Sequence, residues 1–396
     1  MIKAIQIQNF KSIKNAYIDL DAFNVLIGKN GSGKSTLITA INLTVQLTKE
    51  VPLSTALRSI APVSSELFND GSEEKICKIE LFIDISKTRR YKFDYVIGLN
   101  KSYNEKIARF VIVSETLSKI IKNEKHIIYN RKKDKLFKGD DDIFVPTKLS
   151  SDKLVLGNYF EDEVTEVAHH ISEYTTIDSI HTGKGEERTI IDGQRPDMKT
   201  VDGIATALFI KSPELLKQAS DEIKEIIPDF MEPVVINLNE VNHEKEEAKK
   251  DADIAQFYVF WSYFHSTMVH SRFALSGGDL RTILLIYTLF LLPENSSLAI
   301  EEIENGIHVG RIKKLIDLIK TVAKNKNIQL LITTHSLEVL GEMVLTTEVV
   351  YSIKDKKKGT YYRHLTNTDE YKAMKEELHD KEPDVKDFFD SGFLIR

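Results

Sequence analysis

Along the first residues, apolar and polar positions alternate in three short runs: Ile5-Gln6-Ile7-Gln8-Asn9-Phe10, Ala16-Tyr17-Ile18-Asp19-Leu20 and Phe23 to Ile27. This predicts three strands separated by turns. Period two returns between Ile76 and Leu99. Ile79, Leu81, Ile83 and Ile85 mark one strand, Phe93, Tyr95, Ile97 and Leu99 its partner, and Lys87-Thr88-Arg89-Arg90 lies between, so an antiparallel hairpin is expected. Ile127-Ile128-Tyr129 and Lys135-Leu136-Phe137, flanking Arg131-Lys132-Lys133-Asp134, predict a second. From about Tyr159 to His270 the spacing becomes helical. Its best candidate helix opens at Pro213, carries Leu215, Leu216, Ile223, Ile226 and Ile227 on one face, and stops at Pro228. The mixed-sign run Glu244 to Asp251 reads as a solvated helix face or loop in preference to a functional contact.

The C-terminal third alternates strands with helices. Leu298-Ala299-Ile300 and Ile328 to Thr333 are continuous apolar runs of the kind buried in a parallel sheet. Between them Val309, Ile312, Leu315, Ile316, Ile319 and Val322 recur at helical spacing, and another helix is expected from Leu337. Strand, helix, strand implies a crossover connection and a largely parallel sheet. Val349-Val350-Tyr351-Ser352-Ile353 and Tyr361-Tyr362-Arg363, around a lysine-rich turn at Lys354 to Lys358, read as a last hairpin. The tip of that hairpin reads as solvated in preference to a phosphate-backbone contact.

Chemistry enters where the third predicted strand ends. Gly28-Lys29-Asn30-Gly31-Ser32-Gly33-Lys34-Ser35-Thr36 follows Val25-Leu26-Ile27 and precedes Leu37, Ile38, Ile41 and Val45 at helical spacing. A Walker A phosphate loop needs that strand-to-helix context. Glycines let successive N–H groups point at phosphate oxygens, and the helix N-terminus adds partial positive charge. Lys34 would reach the β- and γ-phosphates and Ser35 would offer a hydroxyl to Mg2+. A nucleoside triphosphate is therefore the expected ligand.

Three further motifs narrow the class. Leu275-Ser276-Gly277-Gly278-Asp279 opens a long apolar helix, so Ser276 and the glycines form a phosphate-seeking helix end. Read alone, it fits a plain N-cap after a glycine turn better. Since one P-loop already holds one nucleotide, the economical alternative is that this end caps a γ-phosphate held by a second subunit. Glu301 and Glu302 end an apolar strand at the carboxyl edge of the sheet, where Glu301 would hold Mg2+ through water and Glu302 would deprotonate the attacking water. In Leu331-Ile332-Thr333-Thr334-His335-Ser336, a lone histidine at a strand end is usually structural, but one strand beyond a paired glutamate His335 can donate to the γ-phosphate.

In this order and over nearly the whole chain, these motifs resemble the ABC-type ATPase heads of the SMC/RecF class. Asn9-Phe10-Lys11-Ser12 and Glu304-Asn305-Gly306-Ile307-His308 resemble that class too, and the nearest likeness is to stand-alone prokaryotic RecF/OLD-like ATPases. The resemblance implies an α/β P-loop NTPase of ABC-ATPase head type: a mixed sheet with an antiparallel β subdomain and a helical lobe. It implies ATP and Mg2+ as ligands and a homodimer, or a higher oligomer, with ATP sandwiched between heads. Each ATP would touch Walker A and B residues of one subunit and Ser276, Gly277 and Gly278 of the other. Asn305 to His308 would be the D-loop, and Lys11 would contact nucleotide. Two positions depart from the pattern. Glu301 stands where aspartate is usual, which would slow hydrolysis, and Asp279 replaces the usual Gln or Glu. Gln194 is a poor candidate for the Q-loop, and no adenine-stacking aromatic is assigned.

Composition trims the remaining choices. The net charge of −6 argues against non-specific coating of nucleic acid. A single cysteine, Cys77, excludes a disulfide framework, and no apolar run spans a bilayer, so a cytoplasmic protein without membrane contact is expected. The domain reading is residues 1–100 for the N-terminal part of the head, 101–270 for a β-hairpin and helical insertion, and 271–396 for the C-terminal part. No sustained heptad repeat predicts long arms. The segment after His335 is short for a nuclease domain and carries no Asp-x-Asp pair, so a nuclease or toxin effector would be a separate chain. Three roles stay open: the ATPase sensor of a two-gene antiphage system, a RecF-like repair ATPase with DNA as partner, and an ATP-gated binding module with negligible hydrolysis.

Overall fold

The computed structural model describes residues 1–58, 60–61, 66–69, 75–100, 109–158, 161–178, 189–191, 198, 200–237, 255–261, 275–343, 348–355, 357–379, 383 and 387–388. The chain begins with the antiparallel pair β1 (Ile2–Phe10) and β2 (Ile13–Asp19), followed by β3 (Phe23–Ile27), α1 (Lys34–Thr48) and α2 (Leu53–Arg58). A meander comes next: β4 (Ile76–Asp84), β5 (Arg90–Asn100), β6 (Arg109–Ile121), β7 (Glu124–Lys132), β8 (Lys135–Lys138) and β9 (Ile143–Val145). With β1 and β2 it forms an eight-stranded sheet in the order β2-β1-β4-β5-β6-β7-β8-β9.

Both expected hairpins are present, but β6 joins them into one sheet. Its polar stretch Ser114-Glu115-Thr116 hides a strand because Glu115 is fully buried with every need met. The carboxylate accepts from Tyr129 Oη at 2.7 Å and from the N–H groups of Val155 and Leu156 at 2.7 and 2.8 Å. A buried charge so satisfied costs far less than an orphaned one.

The middle of the chain holds α3 (Asp162–Ser172), β10 (Tyr174–Ile177), β11 (Thr189–Ile191), α4 (Val201–Lys211), α5 (Pro213–Ile226), β12 (Val234–Asn237) and β13 (Ala255–Phe260). The expected helix at Pro213 is there, capped by Ser212. The expectation of helix throughout this region is corrected in two places. β11, β13 and β12 form a small antiparallel sheet, and β10 joins the central sheet. Tyr174-Thr175-Thr176-Ile177 lacks a continuous apolar run because, among the described residues, it is an edge strand paired with β14 alone. The charged run at 244–251 lies outside the described residues, as does Gln194.

The last third supplies α6 (Gly277–Leu291), β14 (Ser297–Ile300), α7 (Val309–Asn325), β15 (Gln329–Thr333), α8 (Leu337–Gly341), β16 (Val349–Asp355), β17 (Gly359–His364) and α9 (Asp369–Glu377). The central sheet runs β10-β14-β15-β3-β16-β17, parallel except for β17. Its residues alternate between two cores. Val25, Ile27, Leu298, Ile300, Leu330, Ile332 and Val349 pack into a core shared with α4 to α7. Leu26, Ala299, Leu331 and Val350 face α1 and the antiparallel sheet. Burial on both faces explains the unbroken apolar runs, each large side chain contributing about 1.5–3 kcal/mol. On the helical side Trp261 is fully buried, and its Nε1 donates to Asp202 Oδ1 at 2.8 Å.

Candidate nucleotide site

The loop between β3 and α1 turns at Gly28 (φ 142°) and Gly33 (φ 110°). A Cβ on Gly28 would lie 2.4 Å from the Ser352 carbonyl oxygen, and one on Gly33 2.4 Å from Thr360 Cγ2, so neither position admits a side chain. Lys34 is buried, and its Nζ donates to the carbonyls of Gly28 at 2.7 Å and Lys29 at 3.1 Å. Burial pushes the ammonium pKa down to about 8, against the opposing charges of Glu302, Glu304 and Glu301. Ser32 is buried too, and its Oγ has no hydrogen-bond partner among the described residues. An orphaned hydroxyl beside a glycine turn at a helix N-terminus fits a phosphate, whose oxygens would accept its proton. Lys29, Asn30, Gly31 and Ser35 are exposed, while Thr36 is half-buried with its Oγ1 3.2 Å from Ser12 Oγ.

Parallel pairing of β14 with β15, and of β15 with β3, carries the paired glutamates to the same edge. Ser35 Oγ donates to Glu301 Oε2 at 3.4 Å. Burial raises the Glu301 pKa and the charges of Asp178 and Glu302 add to this, while Ser35 and Arg281 oppose it. A hydroxyl beside a carboxylate reluctant to ionise suits a Mg2+ held by few protein oxygens together with substrate phosphates. Among the described residues no group of three or more His, Cys, Asp or Glu is arranged to hold a metal without such help. Glu302 adopts a left-handed backbone (φ 46°), and its N–H donates to Thr333 Oγ1 at 2.9 Å. That conformation costs energy in a non-glycine residue, and Thr333, buried at the end of β15, holds it in place.

His335 follows β15 and is exposed. Protein crowding its ring, more than the Lys34 charge, lowers its pKa, so the neutral imidazole prevails at neutral pH. Its backbone is anchored by Glu304, whose Oε1 accepts from the His335 N–H at 2.7 Å and whose Oε2 accepts from Thr334 Oγ1 at 2.8 Å. Lys11 sits in a left-handed turn (φ 50°) with its Nζ on the Ile60 carbonyl at 2.9 Å. Within that turn it is Ser12 that touches the phosphate loop and its helix.

The segment Ser276 to Asp279 is built on other partners. Ser276 caps α6, accepting from the Asp279 N–H at 3.1 Å and donating to Asp279 Oδ2 at 2.7 Å. Asp279 Oδ1 accepts from Arg311 Nη1 at 2.5 Å. A Cβ on Gly278 would meet the Gly306 carbonyl oxygen at 2.2 Å, whereas Gly277 faces open space. Gly278 is thus held against Gly306 of the segment Asn305–His308, while Ser276 and Gly277 are exposed. Among the described residues no hydrogen bond joins them to their own phosphate loop.

Three features escaped the sequence reading. Glu304 was legible only as part of a motif string. Arg281 hides in the apolar helix α6, yet is buried and donates to the carbonyls of Asp178 at 2.5 Å and Glu301 at 2.7 Å. Asp178 follows β10, whose register with β14 (Ile177 opposite Ile300) brings it beside Glu301. No helix among the described residues is long and apolar enough to cross a membrane.

Residues 1–340 match the family model described as AAA ATPase domain. A relative from Helicobacter pylori (strain ATCC 700392 / 26695), named ATP/GTP phosphatase, is 21% identical over 382 residues, covering 89% of this chain and 91% of the relative. The crystal structure of an SMC head bound to the C-winged helix domain of ScpA aligns with a TM-score of 0.56 at 15% identity, covering 92% of this chain and 98% of that one. The SMC head domain from Thermotoga maritima gives 0.47 at 12% identity, with 92% and 98% covered. At these identities the likeness to SMC heads is one of fold.

Proposed function

This chain belongs to the AAA ATPase domain family and is an ATP-binding ATPase, and from that premise we propose that two copies close around two ATP molecules and act together as a sensor or scaffold for a separate effector protein. In this reading the phosphate loop Gly28 to Thr36 cradles the polyphosphate, and Lys34 leaves the Gly28 carbonyl to neutralise it. Ser35 and Glu301 would hold Mg2+, which would supply positive charge to the phosphates. Glu302 takes the proton from the attacking water, with Thr333 holding its backbone N–H. His335, neutral on one ring nitrogen and a donor on the other, hydrogen-bonds the γ-phosphate. Ser276, Gly277 and Gly278 of the second copy complete the site.

The observation that carries this reading is the segregation of the two halves. The phosphate loop and Glu301 meet at one edge of the sheet, and Thr333 and Glu304 tie Glu302 and His335 into that group. Gly278, on the same helix end as Ser276, abuts Gly306 of the segment Asn305–His308 instead. A second copy supplies the missing phosphate ligands. In the Glu302→Gln variant, turnover should stop while ATP-dependent dimers accumulate in sedimentation or light scattering. Unchanged hydrolysis would overturn the assignment of Glu302, and a monomer at saturating ATP would overturn the sandwich.

The effector reading is supported by the SMC head crystallised with ScpA, a head of this fold that carries a partner protein. The proposed setting is antiphage defence, with a nuclease or toxin as the partner. Affinity capture with the ATP-locked Glu302→Gln dimer tests it. ATP-dependent, salt-sensitive DNA binding by the chain alone would favour the repair reading instead.

A further inference from the structure

The hairpin of β16 and β17 lies beyond residue 340, where the family match ends, yet its side chains grip the phosphate loop. Thr360 Oγ1 donates to the Ser32 carbonyl at 2.8 Å and lies 3.0 Å from Ser12 Oγ. Ser352 Oγ donates to the same Ser32 carbonyl at 3.1 Å, and Tyr362 Oη donates to the Gly33 carbonyl at 2.8 Å. Ser352, Thr360 and Tyr362 are buried. The contact is close at both ends of the loop, since Gly28 abuts the Ser352 carbonyl and Gly33 abuts the Thr360 side chain.

Peptide geometry turns this grip into an effect on ligand binding. In a planar trans peptide the carbonyl of one residue and the N–H of the next point in opposite directions. Holding the Ser32 carbonyl toward the hairpin therefore aims the Gly33 N–H away from it. Holding the Gly33 carbonyl does the same for the Lys34 N–H. These are among the unpaired donors at the start of α1, the groups a helix N-terminus offers to an anion. Glycine at position 33 leaves that backbone free to rotate unless something outside the loop fixes it.

We propose that Thr360 and Tyr362 are positioning residues for nucleotide binding, acting through the Ser32 and Gly33 carbonyls to keep the Gly33 and Lys34 N–H groups directed at the polyphosphate. This rests on reading residues 28–36 as the phosphate loop. The hairpin thereby belongs to the ATP site, and ATP affinity depends on its contact with the loop.

Tyr362→Phe and Thr360→Val each remove one donor with little change of shape. Each should raise KM for ATP about fivefold to tenfold with kcat within about twofold, one lost hydrogen bond being worth roughly a factor of ten. Thr360→Ser keeps the hydroxyl and should restore the wild-type KM, which a loss of packing alone would not. Lowered thermal stability with unchanged KM in Tyr362→Phe and Thr360→Val would overturn the proposal, as would a Thr360→Ser variant as weak as Thr360→Val. Lys34→Ala separates the two levels of inference. If it binds ATP normally, the phosphate-loop reading fails. If it loses ATP while the hairpin variants keep their KM, only the positioning role fails.

Discussion

Glu301 Oε2 accepts a hydrogen bond from the Ser35 hydroxyl at 3.4 Å, joining the end of β14 to the start of α1. Burial, with Asp178 and Glu302 nearby, raises the Glu301 pKa, so its ionised form gains more than usual from a cation. Glu301→Gln should raise the Mg2+ concentration for half-maximal ATPase activity by about tenfold or more, and Glu301→Asp by less. A raised carboxylate pKa means the protonated form persists to higher pH, so Mg2+ affinity should fall as pH drops through that raised value. Excess Mg2+ should then restore activity at acid pH. Titrating Mg2+ at several pH values checks both, and a midpoint indifferent to Glu301→Gln would remove the residue from the metal site.

Lys34 loses its proton at about 8 in the free protein. Polyphosphate favours the charged amine, so above that pH binding must take up a proton and affinity should weaken by about tenfold per pH unit. Below it the Lys34 contribution should be flat. Equilibrium binding of a fluorescent ATP analogue from about pH 7 to 9.5 reads this directly, and a constant Kd across that range would contradict it.

Glu304 ties the segment after β14 to the segment after β15 through Thr334 and the backbone of His335. Hydrogen bonds to a carboxylate contribute about 1.5–3 kcal/mol each, so Glu304→Ala should displace His335 and lower kcat by at least about tenfold. KM should change less, because the phosphate loop is untouched. If kcat in Glu304→Ala matches wild type, His335 either does not need this anchor or does not act on the phosphate.

The legible parts of the fold were those governed by short-range patterns. The two-sided burial of β14 and β15 wrote itself as apolar runs, and the strand–loop–helix at Gly28 to Thr36 carries its chemistry in consecutive residues. β6 stayed hidden because Glu115, an apparent surface residue, is satisfied inside the fold by Tyr129, Val155 and Leu156. Arg281 sat unnoticed in an apolar helix because its partners are backbone carbonyls, which no side-chain pattern reveals. The hold of Tyr362 on Gly33 spans most of the chain, and the pairing of β16 with β3 helps bring the two together.

The proton of the Ser276 hydroxyl is committed to Asp279, and Asp279 is shared with Arg311 on α7. If Ser276 and its glycines face the γ-phosphate of a second copy, the Asp279 carboxylate repels that phosphate and the Arg311 guanidinium offsets the repulsion. Arg311→Ala should therefore weaken ATP-dependent dimerisation, and Asp279→Asn should strengthen it because Arg311 is left uncompensated beside the phosphate. Each change is on the order of 1 kcal/mol, or about fivefold in the dimer dissociation constant, for partly exposed charges at this range. The two effects should not add in the double variant, whose members touch. Sedimentation of the Glu302→Gln background at saturating ATP measures all three constants. Equal shifts in the same direction for both single variants would show that the pair only stabilises the fold and does not tune the charge facing the nucleotide.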